Sequence, residues 1–175
     1  MYIEMKYCQN CGSALKKSEP ILLHRPINCP TCHFQMWRDP KVVAGAVVLC
    51  EHEILLVQRQ NELQPDLWSL PAGFVNQGEE PAIAAQREVL EETQIQIEVI
   101  ELLGLTSSKE IIFIAYSSSL PLKDKRAPQI SEELVMAEWH SLTRLPRLAF
   151  PHDKTFIDRA ASNIGLPLIK IEHDQ

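Results

Sequence analysis

Two sets of side chains in this sequence carry the donors of metal chemistry. Cys8, Cys11, Cys29 and Cys32 form two C-x2-C pairs separated by 17 residues. A two-residue gap lets both sulfurs of a pair turn toward one ion, and four thiolates fill a tetrahedral structural zinc site with no open position. Two disulfides are the alternative, disfavoured where thiols stay reduced. His24 and His33 could replace a ligand but read as loop residues, and Cys50 lies in an apolar run as a small buried hydrophobe. The second set is Glu88, Glu91 and Glu92. At about 100° per residue they share one helical arc of about 100°. Arg87 is about 100° away and does not obviously neutralise them. Three carboxylates so placed repel by roughly 0.2–0.5 kcal/mol per pair, which a divalent cation would relieve. Hard oxygen donors select Mg2+ or Mn2+. A solvated acidic helix face is the plain alternative.

The elements that must position these groups follow from patterning. Pro81 suits the first turn of a helix spanning residues 80–93. Ala82, Ile83, Ala85, Val89 and Leu90 are expected to pack, and Ala84 to leave space beside the acids. Residues 42–49 read as a buried strand, residues 54–57 as its partner, and further strands are expected at 95–105, 111–118 and 134–139. A last helix is expected over 152–163, with Gly165 beyond it. Pro65 falls in a loop leading to Trp68, a packing residue, and residues 123–128 form a charged loop. These elements predict an α/β fold with a mixed sheet.

Length and charge divide the chain. At roughly 150 residues per domain, 175 residues make one domain plus a small module. The break is expected near Asp39-Pro40, giving parts 1–38 and 39–175. The first holds five bases and two acids, the second 12 bases and 21 acids. The acidic body disfavours a nucleic-acid partner. No apolar run approaches the roughly 18 residues of a bilayer span, and residues 1–7 do not resemble a secretory signal, so a cytoplasmic address is expected.

The longer string adds a family resemblance. Gly73, five residues, Glu79, seven residues, then Arg87-Glu88-Val89-Leu90-Glu91-Glu92-Thr93 resembles the Nudix box over residues 73–95. Gln94 replaces the family's glycine, which bears on the turn ending the helix and not on the acids. With the four cysteines, Asp39 to Gly45 and Leu67 to Phe74, the chain resembles zinc-ribbon Nudix hydrolases that cleave ADP-ribose and FAD. It is more distantly similar to NADH pyrophosphatases, whose Ser-Gln-Pro-Trp-Pro-Phe-Pro segment has no counterpart in residues 96–130.

The resemblance implies a Nudix-type α/β/α sandwich with a mixed sheet, preceded by a small zinc ribbon. It implies hydrolysis of a nucleoside diphosphate linked to another moiety, with Mg2+ or Mn2+ held by Glu88, Glu92 and the Ala72 carbonyl, and by Glu91 directly or through water. Glu88, Arg87 and Glu133 are the candidates for the catalytic step, with Glu132 beside the last. Arg59 could hold a phosphate, and Phe113 or Tyr116 could stack on a base, although strand aromatics more often pack in a core. A homodimer is usual in this class. A non-catalytic effector sensor with the ribbon contacting a partner is the competing reading, disfavoured by the intact acids.

Overall fold

The computed structural model describes residues 5–15, 26–37, 39–60, 66–108 and 110–163. Arg38, His24, Pro65 and Gly165 lie outside them. The chain resolves into two compact units, Met1–Pro40 and Lys41–Gln175.

The first unit is held by two turns. Tyr7 bridges Ala14, and the strand β1 (Ile27–Asn28) pairs antiparallel with β2 (Gln35–Met36). Each hairpin carries one cysteine pair at its tip, with left-handed backbone at Gly12 and His33. Among the described residues its buried core members are Cys8, Cys29 and Met36. So little apolar area leaves the unit dependent on a cross-link.

The second unit is built around β3 (Lys41–Cys50), whose apolar run is covered on both faces. Val47 and Leu49 face one layer, and Ala44, Ala46, Val48 and Cys50 the other, as the two-residue period of a strand requires. Glu51 adopts positive φ in the tight turn to β4 (Glu53–Arg59). The sheet order is β6-β7-β3-β4-β8, where β6 is Glu101–Ser107, β7 Ile111–Ser119 and β8 Leu134–Ser141. The β3–β7 pair is parallel and the others antiparallel, so the sheet is mixed. A short strand, β5 (Ala72–Phe74), pairs with β3 at Val43–Gly45. Here Gly45 matters: a Cβ on it would lie 2.6 Å from Ala72 Cβ and 3.0 Å from the Pro71 carbonyl. The helix α1 (Pro81–Thr93) packs on one face of the sheet and α2 (Pro151–Asn163) on the other, giving the α/β/α sandwich. No described helix is long and apolar enough to cross a membrane.

Several expectations change in detail. The strand expected over 95–105 begins only at Glu101. Ile95 and Ile97 are buried against Val48, Leu55 and Val89, so their alternation reflects packing without strand pairing. Ala84 is fully buried in a cluster with Ala44 and Ala85, so it packs into the core. Ile83 and Leu90, expected to pack, are 51% and 41% exposed. The helix instead buries Ala84, Ala85, Val89, Glu92 and Thr93. Two alanines let α1 sit close to the sheet, and Val89 adds on the order of 2 kcal/mol of burial. The loop over 123–128 overlaps a 3-10 turn at Leu122–Asp124, and Lys125 is paired with Glu53 and lies over the Trp139 ring. Gln94 takes the left-handed conformation at φ 57° and its N–H donates to the Leu90 carbonyl, so the helix ends as a glycine would end it. Trp68 packs edge-on to His140, with ring centroids 4.3 Å apart.

Candidate active site and cysteine cluster

The box folds into β5, a turn and α1, and this brings the acids beneath the β5 backbone. Glu92 is 3% exposed, and its Oε2 accepts the Ala72 N–H at 3.1 Å. Burial pushes its carboxyl up to about 7, against the pull of Arg59 and that N–H. Glu88 lies directly under Gly73: a Cβ there would meet the Glu88 carboxyl carbon at 2.1 Å. Glycine at 73 is therefore a space requirement of the acid.

Two arginines neutralise the acids. Arg87 donates through Nε and Nη2 to Glu79, through Nη1 to both Glu88 at 2.7 Å and Glu91 at 2.9 Å, and through Nη2 to the Phe74 carbonyl. This corrects the helical-wheel expectation that Arg87 stands apart; a guanidinium spans the 100° that separates the Cα positions. Glu79 is drawn down to about 2, mainly by Arg87, and its Oε2 also accepts the Asn76 N–H. It is a strut for the turn. Arg59, at the end of β4 beside a bulge, bonds Glu92 Oε1 at 2.6 Å and the Ala72 carbonyl at 2.5 Å.

A cavity of about 710 Å³ opens on this arrangement, lined by Arg59, Ala72, Gly73, Arg87, Glu88 and Glu91. Glu133, from the turn before β8, also lines it, and so does Phe113. Tyr116 does not line it. Three residues from Phe113 along β7, it points to the opposite face and packs toward Ala44, Ala84 and Ala85. Glu132 contributes its carbonyl to Gln60.

The sequence placed α2 within one residue but gave no sign that its start lines the cavity. Phe150, His152 and Asp153 line the cavity, with the His152 ring 4.8 Å from Phe113 and stacked 5.3 Å from Phe150. Asp153 is 1% exposed, and burial pushes its carboxyl up to about 7. Pro151 at the helix start was a visible signal for the element, but nothing in the sequence linked it to the site.

The acids and the Ala72 carbonyl are oxygen donors, the kind a hard dication takes. The cysteines fit zinc. Their four sulfurs lie within 4.8 Å of one another, the one such convergent group among the described residues. Cys8–Cys32 and Cys11–Cys29 sulfur separations are both 3.7 Å. Zn–S bonds of about 2.3 Å at tetrahedral angles place sulfurs about 3.8 Å apart. The Ser13 hydroxyl and the N–H groups of Cys32 and Thr31 hold the Cys29 thiol down at about 5.

The NUDIX domain model matches residues 39–160. The chain belongs to the NUDIX family. Among its Nudix relatives is an ADP-ribose pyrophosphatase of Methanocaldococcus jannaschii, 31% identical over 71% of this chain and 76% of that one. The NAD-capped RNA hydrolase NudC of Haemophilus influenzae is 30% identical over 96% of this chain and 62% of its own length. The chain thus spans about six tenths of that NudC relative. A crystal structure of a NUDIX hydrolase from Nitrosomonas europaea shares the fold at a TM-score of 0.77 and 23% identity, covering 95% of this chain and 97% of that one. The Nudix fold and a cysteine cluster that fits a zinc ribbon are thereby established for this chain.

Proposed function

We propose that the chain hydrolyses the pyrophosphate of a nucleoside diphosphate linked to another moiety, ADP-ribose or FAD, releasing AMP. Residues 1–38 form the zinc ribbon and 39–175 the hydrolase. The carrying observation is that Glu88, Glu91, Ala72 and two arginines line one cavity, with Glu92 buried behind its wall and joined to it through Arg59. Likeness to a protein named ADP-ribose pyrophosphatase supports the substrate class.

In this reading Glu88, Glu92 and the Ala72 carbonyl, with Glu91, hold Mg2+ or Mn2+. Such an ion, when bound, would neutralise the pyrophosphate and acidify an attacking water. The protein's own groups do the rest. Gly73 leaves Glu88 room beneath the substrate strand. Arg59 is positioned to receive a phosphate oxygen. Arg87 orients Glu88 and Glu91 from the flank. Glu133, solvent-accessible on the cavity rim, is our candidate to take the proton from water. Phe113 forms an apolar wall with His152 and Phe150, which suits a nucleobase. A homodimer belongs to the same proposal, supported by Leu102 and Leu105 exposed on the edge strand β6.

The NudC-type reading, cleavage of NADH or an NAD-capped RNA, stands second because that likeness runs through nearly the whole chain. The test is incubation of purified protein with ADP-ribose, FAD, NADH and NAD-capped RNA in Mg2+ or Mn2+, with product identification. AMP from ADP-ribose or FAD is expected. We expect Glu92→Gln to lower kcat by about 10³-fold or more with the fold retained. Wild-type turnover in that variant, or no turnover of any substrate by the parent, would overturn the reading.

A further inference from the structure

The two arginines of the site are held differently. Arg87 is anchored: its bonds run to three carboxylates and the Phe74 carbonyl. Arg59 forks onto Glu92 Oε1 and the Ala72 carbonyl, and its side chain is 36% exposed along the cavity wall. Those two acceptors are the groups assigned above to a dication. Glu92 is buried, and a buried carboxylate without a counter-charge is costly; the Arg59 guanidinium supplies that charge. A dication on the same carboxylate and carbonyl would compete with the guanidinium for both acceptors and repel it at close range.

We propose that Arg59 is a resident counter-ion that must leave Glu92 and Ala72 before a divalent cation can occupy them. The inference rests on the metal-ligand reading of the preceding subsection. Its consequence is an exchange: metal binding frees a guanidinium into the cavity, beside the place where the diphosphate must lie. The arginine thus lowers metal affinity until it has been released, and by reciprocity the metal lowers the arginine's hold on Glu92. The released fork then matches a phosphate in two-point geometry, as it matched the carboxylate and carbonyl.

The test is Mn2+ binding to the full chain without substrate, followed by electron paramagnetic resonance of free Mn2+. Arg59→Gln removes the competing charge and should bind Mn2+ at least about tenfold more tightly than the parent, the scale of a typical coupling between sites. Arg59→Lys keeps the charge but cannot fork onto both acceptors, so it should bind a few-fold more tightly; it also serves if the glutamine variant folds poorly. A second readout is the Arg59 Nε–Hε resonance, expected to shift and sharpen toward solvent-exposed behaviour on Mg2+ addition. Unchanged or weaker Mn2+ affinity in both variants, while the parent binds and Glu92→Gln does not, would overturn the exchange alone. A parent that binds no Mn2+, or Glu92→Gln that binds as well as the parent, would instead overturn the underlying ligand reading.

Discussion

At the scale of single residues, burial and charge pull against each other at the cavity floor. Asp153 sits in the first turn of α2, its Oδ2 has no hydrogen-bond partner among the described residues, and His152 Nε2 lies 3.4 Å from Oδ1. Its carboxyl, raised from 3.8 to about 7 by burial, favours the folded state when protonated. That contribution is fully present below the unfolded value and is lost as pH rises through the folded one. The parent should therefore lose stability relative to Asp153→Asn between about pH 4 and pH 7, by up to about 4 kcal/mol. Urea unfolding of both proteins across that range measures it; parallel curves would refute it. The neighbouring His152, half-buried and held low by desolvation, acts in the opposite direction, so only the difference between the two proteins isolates the acid. Asp153 was not legible in the sequence because its role arises from burial, which a lone acid after proline does not reveal. The box acids were legible, since Glu88, Glu91 and Glu92 share a helix face by spacing alone. Their counter-charges were not: Arg59 comes from a strand 33 residues before Glu92. Arg87 reaches its partners by length of side chain.

At the scale of elements, the end of α1 shows one conformation reached by an unfavoured residue. Gln94 occupies left-handed backbone, which costs a non-glycine residue about 1 kcal/mol. Gln94→Gly should stabilise the chain by about 0.5–1 kcal/mol, offset in part by loss of the Gln94 Nε2 bond to the Leu90 carbonyl at 3.2 Å. Calorimetry should show a rise in Tm of about 1–4 °C. A fall would mean that the side-chain bond outweighs the backbone strain. Here the local pattern read well for long apolar runs: β3, with its β-branched stretch, and α1, with proline at its start, appear close to their expected bounds. It read poorly at residues 95–100. There Ile95, Ile97 and Val99 alternate as a strand would, yet they follow a helix-ending turn and pack against the core before the chain reaches the sheet edge. Periodicity reports which side chains are buried, and pairing requires a neighbour that the sequence does not show.

At the scale of the whole molecule, the two units obtain stability from different sources. The second has layered cores on both faces of its sheet. The first has three buried core side chains among its described residues, two of them cysteine. We expect one zinc per chain by elemental analysis. We also expect chelation, or Cys29→Ser, to open residues 5–37 to protease, because metal binding supplies most of the folding free energy of so small a unit. Persistent protease resistance after complete zinc removal would contradict this. The C-x2-C spacing made the cluster visible in advance, since it depends on local turns. The sulfur separations that match a tetrahedron required the fold.

Cys50 now acquires a practical meaning. It is fully buried at the end of β3 in the cluster with Val48, Leu55 and Val89, with its thiol pushed up by burial, so alkylating reagents and chromogenic disulfides should reach it only when the hydrolase unit opens. Zinc held by the other four sulfurs, as proposed above, would mask them, and its loss would make them reactive. Colour yield in native buffer therefore tracks ejection of the metal on a dark background, and a fifth equivalent appearing late would time global unfolding in the same cuvette.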